Sequence, residues 1–433
     1  MNDTRPTKID LRQHPADLAD ALQRLPSEEA AGGLLTLPAA VAPLVMAELD
    51  DAFARNILRE IDTATLTEWW AQLDADQVAD LASILPDSIS EPAIENLAPH
   101  DREAVRELLK YPEDTAGGIM SDLFITLSAD ETLRESLQKL RANPEHRKAD
   151  ITYLYVTDQD ERLIGVVPLR ELLFASPDKR VHEAMNSRIK FLRVTDDQEE
   201  IAREFEKYHY LGLPVLEADN RLVGIVKVSD VLEVAEAEAT EDMQLMVGLS
   251  GEERALTPWH IAVVKRLPWL CLNLATALLG SWVILQFEST TTRWAALIAF
   301  LPVIAGQSGN AGMQTLTVII RDLALGELSN GDGRRALAKE LIAGLINGLA
   351  IGLILGLIGH FWMGSTLLGI VAAVAMIMSQ TAAVAAGVLI PLGLKLFRID
   401  PALASSIFLT TVTDVLGFFF FLGLAYLALQ WQG

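Results

Sequence analysis

LPWLCLNLATALLGSWVILQF, Leu267 to Phe287, carries no charged side chain. At ~1.5 Å per residue such a run crosses the roughly 30 Å hydrocarbon core of a bilayer, so it reads as a transmembrane helix. Four more apolar runs follow, near 295–320, 338–362, 366–394 and 403–430. The run 366–394 is too short for two crossings and a turn, which need over ~40 residues. It reads instead as one long helix, tilted or kinked, with Pro391 near its end. Five helical spans are therefore expected over 261–433.

Basic residues at the span ends set the orientation. With the N-terminus inside, Lys265, Arg266, Arg321, Arg334, Arg335, Lys339, Lys395 and Arg398 all lie on the cytoplasmic side, and only Arg293 lies outside. The odd number of spans then leaves the C-terminus outside. No signal peptide precedes the first span, which begins more than 260 residues in, so the preceding part is expected to stay in the cytoplasm.

The two parts differ in charge. Of the 433 residues, 35 are basic and 58 acidic, and residues 1–255 hold 26 of the basic and 51 of the acidic groups. The first part carries −25 and the rest +2. A surface this acidic repels nucleic acid and attracts cations. The single Cys271 forms no internal disulfide and excludes a cysteine-built metal site. Enzyme readings fail as well. HEAMN (His182 to Asn186) lacks the second histidine of a zinc-protease motif, and no GxxxxGK[ST] phosphate loop is present.

Residues 1–116 read as short amphipathic helices separated by turn signals, for example Asp17 to Leu25 closed by Pro26 and Asp76 to Leu85 closed by Pro86. That pattern predicts a helical-repeat solenoid. Over 117–233 the chain mixes helices with β-branched strands and repeats itself: RLIGVVPLREL (Arg162 to Leu172) returns 59 residues later as RLVGIVKVSDVL (Arg221 to Leu232). Two units, 117–180 and 181–233, are expected to pack as a pair. Residues 234–260 begin as an acidic, Ala-rich helix ending at Gly248 and link this pair to the spans.

Asp414 is the most informative residue. It lies inside the last span, where a carboxylate costs at least ~2.5–3.5 kcal/mol unless it faces water or a partner. Asp400, 14 residues earlier, would lie ~21 Å away on one continuous helix, near the same face. The second span supplies LPVIAGQSGNAGMQ (Leu301 to Gln314), with Asn310 and Gln314 sharing a helix face. Gly344, Gly348, Gly352 and Gly356 form a stripe with nothing polar in it and read as packing. Carboxylate and carbonyl oxygens suit hard cations such as Mg²⁺, and a two-fold dimer would bring two Asp414 carboxylates against one divalent charge. Outside the spans, Asp74, Asp76 and Asp80, then Asp197, Glu199 and Glu200, then Asp230, Glu233, Glu236, Glu238, Glu241 and Asp242, form acidic groups that an accumulated cation would bridge.

The chain resembles the MgtE family of magnesium channels and transporters along essentially its whole length. The resemblance rests on YPEDTAGGIM (Tyr111 to Met120), the duplicated units as a CBS pair, EATED (Glu238 to Asp242), SGNAGMQ, RDLALGE (Arg321 to Glu327), DPA (Asp400 to Ala402) and TTVTD (Thr410 to Asp414). It implies a homodimer with a pore between subunits, lined by Asp414 with Asn310, Asp400, Thr410 and Thr411. It further implies closure by cytosolic Mg²⁺, with Asp74, Asp76, Asp197, Glu199, Asp230, Glu233, Glu238, Glu241 and Asp242 as regulatory ligands. Asp230 would also meet the ribose of ATP at the CBS pair. His209 stands where an acid is expected, and Lys227 replaces the usual hydroxyl three residues before Asp230.

The expected protein is a multi-domain, multi-pass protein of the cytoplasmic membrane, not an enzyme, that takes up Mg²⁺ under Mg²⁺ control. The alternatives are a proton- or Na⁺-coupled exporter of Mg²⁺ or Co²⁺, and a nucleotide-sensing protein whose spans only anchor it.

Overall fold

The computed structural model describes residues 13–143, 152–251, 253, 255, 257–328, 331–403 and 405–432. The first twelve residues of the expected helical domain lie outside that set. Two compact units divide the chain, Met1–Ala235 and Glu236–Gly433.

The first unit opens with short helices α1 (Pro15–Gln23), α2 (Ser27–Leu35), α3 (Ala42–Ala47) and α4 (Asp51–Leu58). They continue as α5 (Thr63–Trp70), α6 (Ala75–Ser83), α7 (Asp87–Glu95) and α8 (Pro99–Leu108). Caps and prolines keep each one short. Asp62 accepts from the amides of Ala64 and Thr65 at the start of α5, and Asp74 with Gln77 forms a capping box on α6. Each helix packs on the one two places ahead, α1 on α3 and so on to α6 on α8, which is the stacking of a solenoid. Its buried interior includes Leu34, Met46, Ile57, Leu66 and Trp70.

The duplication in sequence is a duplication in space. Strands β1 (Thr126–Ser128), β2 (Tyr153–Thr157) and β3 (Leu163–Pro168) form one sheet, β1 parallel and β3 antiparallel to β2. Helix α9 (Leu133–Ala142) joins β1 toward β2, and α10 (Leu169–Phe174) and α11 (Val181–Ala184) follow β3. The second sheet, β4 (Leu192–Arg193), β5 (Gly212–Leu216) and β6 (Leu222–Lys227), repeats that topology, with α12 (Gln198–Tyr208) between β4 and β5. Tyr153 pairs with Pro168 and Gly212 with Lys227, the same register 59 residues on. The repeats also exchange their leading segments: Ser121 bridges to Ile225, and Asn186 bridges to Val166. Gly165 and Gly224 leave room for the thioethers of Met185 and Met120, each of which a Cβ would meet within 3 Å.

Helix α13 (Val228–Met246) runs without a break from the end of β6, so the expected border at 233/234 falls inside one helix. It stops where Gly248 adopts φ +78, a left-handed conformation that glycine takes without strain.

The second unit holds α14 (Trp259–Gln286), the short α15 (Glu288–Arg293), α16 (Leu297–Ala324), α17 (Gly333–Met363), α18 (Thr366–Leu396) and α19 (Ser405–Gln432). Among the described residues, α14, α17, α18 and α19 are long and apolar enough to cross a membrane. Helix α16 has the length, but Gln307, Asn310 and Gln314 reduce its apolar character. The 366–394 run is one helix, with Pro391 inside it. Helix α18 is the hub, 56% of its apolar window being buried against 11% for α14. The glycine stripe is packing: a Cβ on Gly344 would run into the Val384 side chain, and one on Gly352 would meet the Ala373 carbonyl at 2.7 Å.

One expectation is overturned. Asp400 is not on a continuous helix with Asp414, because α19 begins only at Ser405. Pro401 disfavours helical geometry at the residue before it, and Arg398 is left-handed at φ 58. Asp400 instead makes a turn, its Oδ1 accepting from the Ala402 amide at 2.7 Å.

Candidate functional site

Asp414 sits half-buried on α19. Gly280 of α14 makes room for it, since a Cβ there would stand 3.5 Å from that of Asp414. Among the described residues its carboxylate makes no hydrogen bond or ion pair. Around it, Thr410 and Thr411 donate to the Ile407 carbonyl at 3.1 and 2.7 Å, and Thr413 donates to that of Thr410 at 3.1 Å. Their protons are spent on their own helix, while the hydroxyl oxygens keep acceptor capacity. The arrangement offers negative charge and neutral oxygens, the ligand set of a hard cation.

Helices α16 and α19 meet where a Cβ on Gly309 would lie 3.9 Å from Thr413 Oγ1. The residues next to these, Asn310 and Asp414, therefore stand at one level. Asn310 and Gln314 are both exposed on the face of α16 that no neighbouring helix covers, as their spacing predicts. Asp400 stays off this helix, in its turn before α19. A second buried carboxylate escaped the sequence reading: Glu340 of α17 accepts from Thr315 Oγ1 at 2.8 Å and from Lys339 Nζ at 2.6 Å, tying α16 to α17.

Within the first unit the solenoid and the duplicated domain enclose an acidic crevice. Asp80 is exposed at the mouth of this crevice, yet the crowding of protein around it and the charges of Asp76, Asp51, Asp230 and Glu113 push its carboxyl up to about 7. Burial raises Asp122, and the charge of Asp76 adds to it. Asp122 Oδ1 is buried with no hydrogen-bond partner among the described residues. Burial also raises Asp230, against the opposing bonds from Ser229 Oγ at 2.8 Å and the Lys227 amide at 3.3 Å. Lys227 Nζ lies 3.9 Å from Asp76 Oδ2 and supplies part of the missing positive charge. A buried orphan carboxylate oxygen and a carboxyl held near neutrality both fit a site that takes up a cation.

The structure thus gathers Asp76 and Asp230, with Asp74 beside Asp122, and adds Asp51, Glu113 and Asp122. Only Glu113 lay in a quoted motif. Asp197 and Glu199 stand at the start of α12, where Asp197 bridges to Thr115 and caps the Glu199 amide at 2.9 Å, and Glu199 pairs with Arg203 at 2.6 Å. His209 closes the same helix in a left-handed conformation, φ 54.

Beyond α13, Glu253 is held from both sides. Gln244 Nε2 donates to its carbonyl at 2.8 Å, and its amide donates to Gln244 Oε1 at 3.0 Å. Its carboxylate receives Arg266 Nε of α14 at 2.9 and 3.0 Å, a bond that holds it below the usual carboxylate range. Glu233, Glu238, Glu241 and Asp242 all lie on α13, and Glu241 packs toward Gly251. Among the described residues, no three carboxylate, imidazole or thiol groups converge closely enough to hold a bare metal ion.

Three family models match in chain order. They are the MgtE intracellular N domain over 13–114, the CBS domain over 116–178 and 181–237, and the MgtE divalent cation transporter domain over 301–424. The magnesium transporter MgtE of Thermus thermophilus is 35% identical over 442 residues, spanning 99% of this chain and 96% of its own. That of Bacillus subtilis is 30% identical over 411 residues, 95% and 91% of the two chains. A crystal structure of the cytosolic domain of the Mg²⁺ channel MgtE in complex with ATP is 35% identical, covering 51% of this chain and 90% of that one at a TM-score of 0.48.

Proposed function

Because this chain belongs to the MgtE family of divalent cation transporters, we propose that it mediates passive uptake of Mg²⁺ across the cytoplasmic membrane and is closed by cytosolic Mg²⁺. Asp414 carries the proposal: a carboxylate in an apolar helix, unpaired among the described residues, level with Asn310 and one turn beyond the hydroxyls of Thr410 and Thr411. Mg²⁺ gives up water reluctantly, so a few oxygens that bind its hydration shell suffice. In a homodimer two such carboxylates balance one ion. Helix α16 is then the fifth span, and its uncovered polar face lines the path. The N-terminus lies inside and the C-terminus outside, as the basic residues require.

Closure follows from charge. The crevice acids Asp76, Asp80, Asp122 and Asp230, together with Asp74, repel one another until Mg²⁺ bridges them. Asp197 and Glu199 serve a separate ion, and Glu233, Glu238, Glu241 and Asp242 carry the response along α13. ATP at the CBS pair would meet Asp230, each of whose carboxylate oxygens accepts one hydrogen bond from its own chain and keeps a lone pair for a ribose hydroxyl.

Flux into proteoliposomes, with and without an imposed pH or Na⁺ gradient, tests this reading. Mg²⁺ flux that ignores both gradients is expected. Flux that follows either gradient supports the coupled exporter, and no flux leaves only the anchored sensor.

A further inference from the structure

Ser308 on α16 and Ser379 on α18 are 0% and 2% exposed, and neither hydroxyl meets a hydrogen-bond partner among the described residues. In an apolar helix such a hydroxyl ordinarily bonds back to the carbonyl one turn earlier. Thr317, Thr381 and Thr411 do so here, to Met313, Ile377 and Ile407. Ser308 and Ser379 forgo that bond, and Ser379 Oγ faces α19, 3.8 Å from where a Cβ on Gly417 would stand. Gln380 Oε1, one residue on, is likewise buried and unpartnered.

Helices α16 and α18 run parallel and are sealed where Gly312 faces Ala383 and Gly387. A Cβ on Gly312 would meet the Ala383 carbonyl at 3.1 Å, and one on Gly387 would meet the Gly312 carbonyl at 2.7 Å. Ser308 and Ser379 each lie one turn before Gly312 and Ala383, so they share a level across this pair. The packing is looser there. A Cβ on Gly417 of α19 would have only Ile304 and Ser379 Oγ within 4 Å, each at 3.8 Å, and one on Gly309 only Thr413 Oγ1, at 3.9 Å.

We propose that this three-helix junction is an internal hydration site, holding at least one water between the hydroxyls of Ser308 and Ser379. The Gln380 carbonyl extends the same polar layer toward α17. Water fits because it both donates and accepts and needs two to four polar partners. A cation fits worse, since these three oxygens are neutral and a bare charge there would be costly to dehydrate. Seated behind the helix that carries Asp414, such a water can re-form its bonds after a small shift of α19, whereas Leu409 of α19, 2.8 Å from where a Cβ on Gly312 would stand, packs too closely to do so. The site does not depend on which ion the protein carries.

Thermal unfolding of the full chain in detergent, for Ser308→Ala, Ser379→Ala and the double variant, reads the site directly. Each single change is expected to lower Tm by about 2–4 °C. The double variant is expected to fall little further, because one water serves both hydroxyls. A rise, no change, or losses that add in full would overturn the proposal. A density map of the unaltered protein gives an independent reading. A peak within hydrogen-bond distance of both Oγ atoms is expected, and its absence at a resolution that shows other internal waters refutes the site.

Discussion

Protons and Mg²⁺ should substitute for one another in the acidic crevice. Asp80 has its carboxyl pushed up to about 7, far above the value of an unfolded chain. A group raised in this way favours the folded crevice most at low pH, and that contribution is lost as pH rises through about 7. At pH 8 Asp80 is about nine-tenths ionised and at pH 6 about one-tenth, so an ion that needs the ionised form meets roughly ten-fold stronger competition at pH 6. The apparent dissociation constant for Mg²⁺-dependent closure should therefore rise roughly ten-fold from pH 8 to pH 6. Closure without any Mg²⁺ should meanwhile be easier at pH 6. Limited proteolysis of the full chain in detergent, titrated with Mg²⁺ at both pH values, measures the two effects. Asp80→Asn should lose most of the pH dependence while keeping Mg²⁺ sensitivity through Asp76, Asp122 and Asp230. Titration curves that superimpose at the two pH values, or an Asp80→Asn variant with the dependence intact, would refute the argument.

Asp414→Asn keeps size and hydrogen-bonding capacity but removes the charge, and proteoliposome flux of divalent ions should fall by at least ten-fold while assembly, read by size-exclusion chromatography, is unchanged. Neutralising Glu238, Glu241 and Asp242 together should leave basal flux intact and prevent its shut-off at millimolar Mg²⁺, seen by flux at clamped internal Mg²⁺. Gly352→Ala places a methyl group 2.7 Å from the Ala373 carbonyl, so α17 and α18 must separate, at a cost of about 1–3 kcal/mol that a lowered Tm would register.

Local chemistry was legible along the chain, and long-range convergence was not. The RLIGVVPLREL repeat announces two equivalent sheets because strand periodicity and turn residues are local, and the register copies itself 59 residues on. Charge-free runs and basic flanks mark the apolar helices for the same reason, and the glycine stripe of α17 packs as its spacing says. Asp400 shows where counting residues fails: a rise of ~1.5 Å per residue holds only while the helix continues, and Pro401 ends that assumption. Asp51 and Asp122 stand 71 residues apart in sequence. Nothing in their neighbours marks them as partners, since only the packing of solenoid against sheet brings their charges to one crevice.

Glu253 is tied through its backbone to Gln244 and through its side chain to Arg266. Between the end of α13 at Met246 and the start of α14 at Trp259 the chain has a dozen residues, enough slack for either helix to move without tugging the other. The two ties remove that slack at a single point. A rotation of the last turn of α13 reaches Arg266 through a few bonds instead of dissipating along a loop. One of those ties is ionic and partly open to solvent, so its stiffness falls as added salt screens the Arg266 charge. The mechanical connection thereby weakens modestly as ionic strength rises, the Glu253 carboxylate being almost fully covered, and it does so independently of any ion that binds the crevice.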